Sequence, residues 1–140
     1  MYSLLVWQKF RDWEGGAFSF DKNRFLEYTS ATIKEQLGSL SKEAVDCLKS
    51  WPCVLMEEGF GEEIVHVVRI VELYDRGTEI QLVVDSCPIK FPILNDDLWR
   101  IRAELDIGQF EFSRYHWAVK ERDLFSVCCL SLNRSDACIS

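Results

Sequence analysis

The chain has no CxxC pair, no glycine-rich phosphate loop, no GxSxG or HExxH pattern, and only two histidines, His66 and His116. Each absence removes a class of function. Finger-type zinc sites need cysteine and histidine pairs at short spacing, and neither histidine stands at such a distance from a cysteine pair. Nucleotide-dependent enzymes need a backbone cradle for phosphate, and Gly59-Phe60-Gly61 is too short to form one. No apolar run approaches the roughly 18 residues that cross a bilayer. Met1 to Trp7 lacks the basic leader and small-residue cleavage pattern of a secretory signal. Basic clusters are missing too. The formal net charge is -7, and the densest basic pair, Arg100 and Arg102, sits among Asp96, Asp97, Glu104 and Asp106. Phosphate neutralisation supplies much of the affinity of duplex-binding modules, so nucleic acid is disfavoured as a partner, and an anionic membrane surface for the same reason.

What is present is core material. Of the 140 residues, 48% are hydrophobic and 13% aromatic, including five tryptophans and nine phenylalanines, which stay soluble only if most are buried. That length fits one domain. Six cysteines, Cys47, Cys53, Cys87, Cys128, Cys129 and Cys138, make an even count. A domain this size needs no staples, so they read as reduced thiols of a cytoplasmic protein.

Along the chain, Tyr2 to Phe10 reads as a strand, and Glu14-Gly15-Gly16 after Trp13 as a turn. Asp21 caps a helix from Lys22, with Phe25, Leu26, Ile33 and Leu37 at helical spacing; Thr29-Ser30 breaks it, and the second piece ends at Gly38. Ser41 caps Lys42 to Trp51, whose stripe is Ala44, Val45, Leu48 and Trp51, before Pro52. Cys53 to Met56 is a short strand. Ile64 to Tyr74, the turn Asp75-Arg76-Gly77, and Thr78 to Val84 form an antiparallel hairpin. Pro88 and Pro92 restrict Ile89-Lys90-Phe91 to an edge strand or extended link. Asn95 caps a helix from Asp96 to Leu105, with Leu98, Ile101 and Leu105 inward, and Gly108 follows. Phe110 to Phe112 and Tyr115 to Val119 read as strands, and Glu121 to Phe125 as a last helical turn. The pattern predicts an α+β class: a small, strongly twisted antiparallel sheet or SH3-like partial barrel with three to four short helices. Residues 1–127 form the domain, and residues 128–140 form a tail, disordered or docked through the neighbouring Val127 and Leu130.

Arg114, Tyr115, His116 and Trp117, with Lys120 close by, form the best polar-aromatic constellation in the chain. An aromatic ring that stacks on a guest, with imidazole or guanidinium to orient it, is the make-up of a ligand pocket. A strand whose Tyr and Trp alternate into the core explains the same residues without a ligand. His66, among Val68 and Ile70, reads as a hydrogen-bonded structural histidine. No spacing links a cysteine to His116 as a thiol enzyme requires. Glu57, Glu58, Glu62 and Glu63 form an acidic loop without the alternating oxygen ligands of a cation site, and Asp96-Asp97 is explained by capping, so no metal or cofactor is expected. Phe60 at the centre of that loop is either an exposed partner-binding element or a ring folded onto the core.

Three stretches, Arg24-Phe25-Leu26-Glu27-Tyr28-Thr29-Ser30, Ser50-Trp51-Pro52, and Tyr115-His116-Trp117-Ala118-Val119-Lys120-Glu121-Arg122-Asp123-Leu124, resemble an N-terminal module of bacterial proteins, some associated with phage-defence loci. They span most of residues 24 to 125; the cysteine-rich ending departs from that module. The resemblance implies a recognition or scaffolding unit paired with an effector, and carries over no catalytic residue. The expectation is therefore an interaction or sensing module. It binds a protein partner or small ligand through Arg114 to Trp117 and Phe60, and an exposed sheet edge is compatible with a homodimer. The alternative is a hydrolase or nuclease built around His116 and Arg114.

Overall fold

The alternating stretches pair into one mixed sheet in a computed structural model, which describes residues 1–7, 16–89 and 92–132. The strands are β1 (Tyr2–Trp7), β2 (Ala17–Asp21), β3 (Pro52–Glu57), β4 (Ile64–Asp75), β5 (Glu79–Ser86), β6 (Ile93–Leu94) and β7 (His116–Lys120). Their order is β2-β5-β4-β3-β1-β7, with β6 on the early part of β4. β1 runs parallel to β3, and the other pairings are antiparallel. The hairpin forms as its alternation predicts. Gly77 takes φ +94 at its turn, and a bulge between Ile70 and Glu72 shifts the register of the long strand.

Helices cover both faces. α1 (Ala31–Leu37) and α2 (Lys42–Ser50) are capped by the hydroxyls of Ser30 and Ser41, and press Ile33, Leu37, Ala44 and Leu48 onto one face with Leu5, Leu55, Ile80 and Trp117. α3 (Asn95–Arg100), the 3-10 helix Gln109–Ser113 and α4 (Leu124–Ser131) cover the other with Leu98, Phe112, Leu124 and Cys128, against Leu4, Val54, Val67 and Ala118. β7 is buried on both faces because it belongs to both layers. Among the described residues no helix is long and apolar enough to cross a membrane.

The α+β class holds, but several finer expectations give way. The described strands follow an open path with end strands β2 and β7, rather than the partial barrel, and the β1–β3 pair makes the sheet mixed rather than wholly antiparallel. Asp21 caps only the 3-10 turn Lys22–Arg24, after which the chain runs extended through Phe25. Asn95 is not the cap of α3. It is the first helical residue, fully buried, and Asp97 accepts from the Leu94 amide instead. Gln109–Ser113 is a 3-10 helix rather than a strand, because Glu111 accepts from the Gly108 amide and closes the turn. The expected tail boundary at 127/128 falls inside α4, which Asp123 caps and which docks through Leu124, Cys128 and Leu132, with Leu130 facing out. Lys9, Phe10, Trp13, Glu14, Gly15, Lys90, Phe91 and Cys138 lie outside the described residues.

Candidate functional site

The free side of β7 is covered by the segment from Phe25 to Thr29, and the candidate site is built on that junction. Phe25 bridges Trp117, the Leu26 amide donates to the Trp117 carbonyl at 2.7 Å, and the Val119 amide donates to Thr29 Oγ1 at 3.0 Å. The Trp117 carbonyl and the Val119 amide on this edge are thereby satisfied within the chain. The fit has a cost. Leu26 (φ +69) and Tyr28 (φ +52) are non-glycine residues in the left-handed region, which disfavours L-residues by roughly 1–2 kcal/mol each.

Charge holds the segment down. Lys120 Nζ, almost fully buried, donates to the Tyr28 carbonyl at 2.9 Å and to Glu111 Oε2 at 2.9 Å. Glu111 Oε2 also accepts from the Gly108 amide at 2.7 Å. Its Oε1 faces His116 Nε2 at 3.0 Å, and His116 Nδ1 donates to the Arg114 carbonyl at 2.6 Å. Burial pushes the Glu111 carboxyl up, but the His116, Gly108 and Lys120 contacts together outweigh it and hold it below the ordinary glutamate range. Both ring nitrogens of His116 are thus engaged, Nδ1 by the Arg114 carbonyl and Nε2 by the Glu111 carboxyl. His116, Ala118 and Lys120 share one face of β7, which is why an imidazole and an ammonium reach one carboxylate.

Outside this buried cluster lies a polar, open cleft of about 510 Å³, walled by Arg24, Tyr28, Phe110, Ser113, Arg114 and Tyr115, with Glu58 at its border. Arg114 forms a two-pronged pair with Glu27, Nε to Oε1 and Nη2 to Oε2, both 2.9 Å; Arg24 reaches the same carboxylate at 3.5 Å. The Arg114 hydrogen bonds are the main reason the Glu27 carboxyl is held below its usual range. Tyr115 stacks on Phe20 with centroids 4.6 Å apart, and its hydroxyl accepts from the Asp21 amide at 3.1 Å. Phe110 is 70% exposed and Tyr28 46%.

Of the four residues singled out for ligand contact, Arg114 and Tyr115 line the cleft, while His116 and Trp117 are fully buried behind it. Trp117 packs against Phe20 and Phe25 in the core. His66 sits on β4 beside Leu55 of β3, and burial lowers its affinity for a proton. Burial also holds the Cys53 thiol protonated. Phe60 stands 57% exposed on the loop after β3. Glu27, Arg24, Tyr28 and Glu111 carry no sequence signal as a group. The one local hint is the acid three residues after Gly108, which marks a helix start. Among the described residues no group of three or more His, Cys, Asp or Glu side chains is placed to hold a metal ion. No family model matches the chain, and no curated protein and no solved structure is significantly similar to it.

Proposed function

We propose that the chain is a small interaction or sensing module that binds an anionic group, on a small ligand or a protein partner, in the cleft between Arg24–Tyr28 and Phe110–Tyr115. The supporting observation is the pair of guanidinium groups beside exposed aromatic rings on a wall braced by a buried ionic cluster. Glu27 already sits on both arginines as a ligand carboxylate would, and the Nη1 of Arg114 is left to donate toward a guest. The aromatic rings favour an anion carried on a flat apolar group. The wider setting is the one the resemblance implies: a bacterial, cytoplasmic recognition unit working with a separate effector. Burial of His116 and the engagement of both its ring nitrogens weigh against the alternative hydrolase or nuclease reading.

The test is a titration of the full chain with benzoate, phenyl phosphate and inorganic phosphate, followed by NMR. Shifts should concentrate at Arg24, Tyr28, Arg114 and Tyr115, with phenyl phosphate tighter than phosphate. Arg114→Ala should weaken binding about tenfold, the worth of one charge-assisted hydrogen bond, and leave the melting temperature nearly unchanged. Shifts scattered elsewhere, or full binding by Arg114→Ala, would refute the reading.

A further inference from the structure

The loop joining β3 to β4 presents Phe60 on a backbone tied down from several sides. The Gly59 amide donates to the Phe112 carbonyl at 2.6 Å. Asn95 Nδ2 donates to the carbonyls of Glu57 and Gly59 at 2.9 and 3.1 Å, and the Asn95 amide to the Glu63 carbonyl at 2.9 Å. The Asp96 amide holds the Gly61 carbonyl at 2.9 Å. Gly59 and Gly61 take φ +109 and +118, a backbone that side chains resist, so the tip is shaped by its two glycines. The Phe60 ring rests edge-on against Trp99, centroids 4.5 Å apart, and 5.8 Å from Phe112. Covering this ring would take apolar surface out of water, and a ring already fixed gives up little entropy when covered.

The surroundings select the covering group. Glu62, Glu63 and Asp96 are exposed around the tip, and none makes an ion pair among the described residues. The aromatic row already takes one cation from its own chain, since the Arg102 guanidinium lies 3.9 Å over the Trp99 ring. We infer that the Phe60 tip is a docking surface for a basic segment of a partner protein, lysine or arginine side chains meeting the acidic rim while a neighbouring aliphatic side chain covers the Phe60 ring. This surface adjoins the arginine-lined cleft, which Glu58 of the same loop lines, but it uses different side chains and the opposite charge preference, so neither reading depends on the other.

A panel of short peptides alternating lysine and leucine at different spacings is titrated into the full chain, read by Trp fluorescence and calorimetry, with glutamate-leucine and lysine-glycine peptides as controls. At least one lysine-leucine peptide should bind tenfold or more tighter than both controls. Phe60→Ala should cost at least tenfold, and the Glu62→Lys/Glu63→Lys pair a similar factor together with most of the salt dependence. Both sites are exposed, so circular dichroism and melting of the variants should match the parent, and Arg114→Ala should bind the peptide normally. Binding that survives Phe60→Ala, equal binding of the acidic peptide, or no binding by any member would overturn the inference. So would self-association of the parent that Phe60→Ala abolishes, because the occupant would then be a second copy.

Discussion

On the sheet face beneath α1 and α2, the buried cluster is apolar from Leu5 through Phe20 to Val84, and two polar atoms caught there, Ser3 Oγ and Trp117 Nε1, find no partner among the described residues. Beneath α3, Gln109–Ser113 and α4, polar groups are equally deep but mostly bonded. Tyr2 donates to the Leu105 carbonyl at 2.7 Å, and Glu111 collects Lys120, His116 and the Gly108 amide, with Asn95 Oδ1 the orphan. The first face is assembled by volume and tolerates a lost hydrogen bond. The second keeps charge inside, although a buried ion pair contributes little net stability over an apolar replacement. That charge lies directly behind the cleft and grips the Tyr28 carbonyl, so its use is to place the segment that carries Arg24, Glu27 and Tyr28.

This contrast can be broken most sharply at Trp117. Trp117→Ala should lose about 3–5 kcal/mol in urea unfolding, the usual range for removing a large buried ring; a loss under about 1 kcal/mol would mean that the apolar face is not held by volume. Glu111→Gln should cost about 3 kcal/mol by the same measurement, because the buried Lys120 ammonium is left without its carboxylate. Adding Lys120→Met should recover part of that loss, whereas simple additivity would show the two side chains to be uncoupled. The smallest effect is the pH dependence. Glu111 is held below its ordinary value in the folded state, so its contribution is present above the unfolded pKa and is lost as pH falls through the lower folded one. The stability gap between the parent and Glu111→Gln should therefore be full at neutral pH and shrink below about pH 4, near the glutamate reference. A gap that widened in acid would reverse the assignment.

The hairpin and α2 were legible in the sequence because each has a complete local period and its own punctuation, Gly77 in one and Ser41 with Pro52 in the other. Ala17–Asp21 carries too short an alternation to read as a strand, with only four residues between Gly16 and Asp21. Phe110 and Phe112 alternate as a strand would, yet the Gly108–Glu111 contact winds them into a 3-10 turn. α4 is apolar on several sides and gives no stripe, so the helical turn expected over Glu121 to Phe125 shares only Leu124 and Phe125 with it. Arg114 and Tyr115 stood out locally, but their partners did not. Glu27 lies 87 residues from Arg114 and Tyr28 lies 92 from Lys120, separations that no local pattern encodes.

β1 sits inside the sheet, hydrogen-bonded to residues 53–57 on one side and 116–120 on the other. During synthesis residues 2–7 therefore wait for more than a hundred further residues before their second neighbour exists. Until then Leu4, Leu5 and Val6 have at most one wall of their final surroundings. Strand pairing at such separation is slow, and a chaperone that shields this apolar stretch during synthesis would act where the topology leaves the nascent protein most prone to stick.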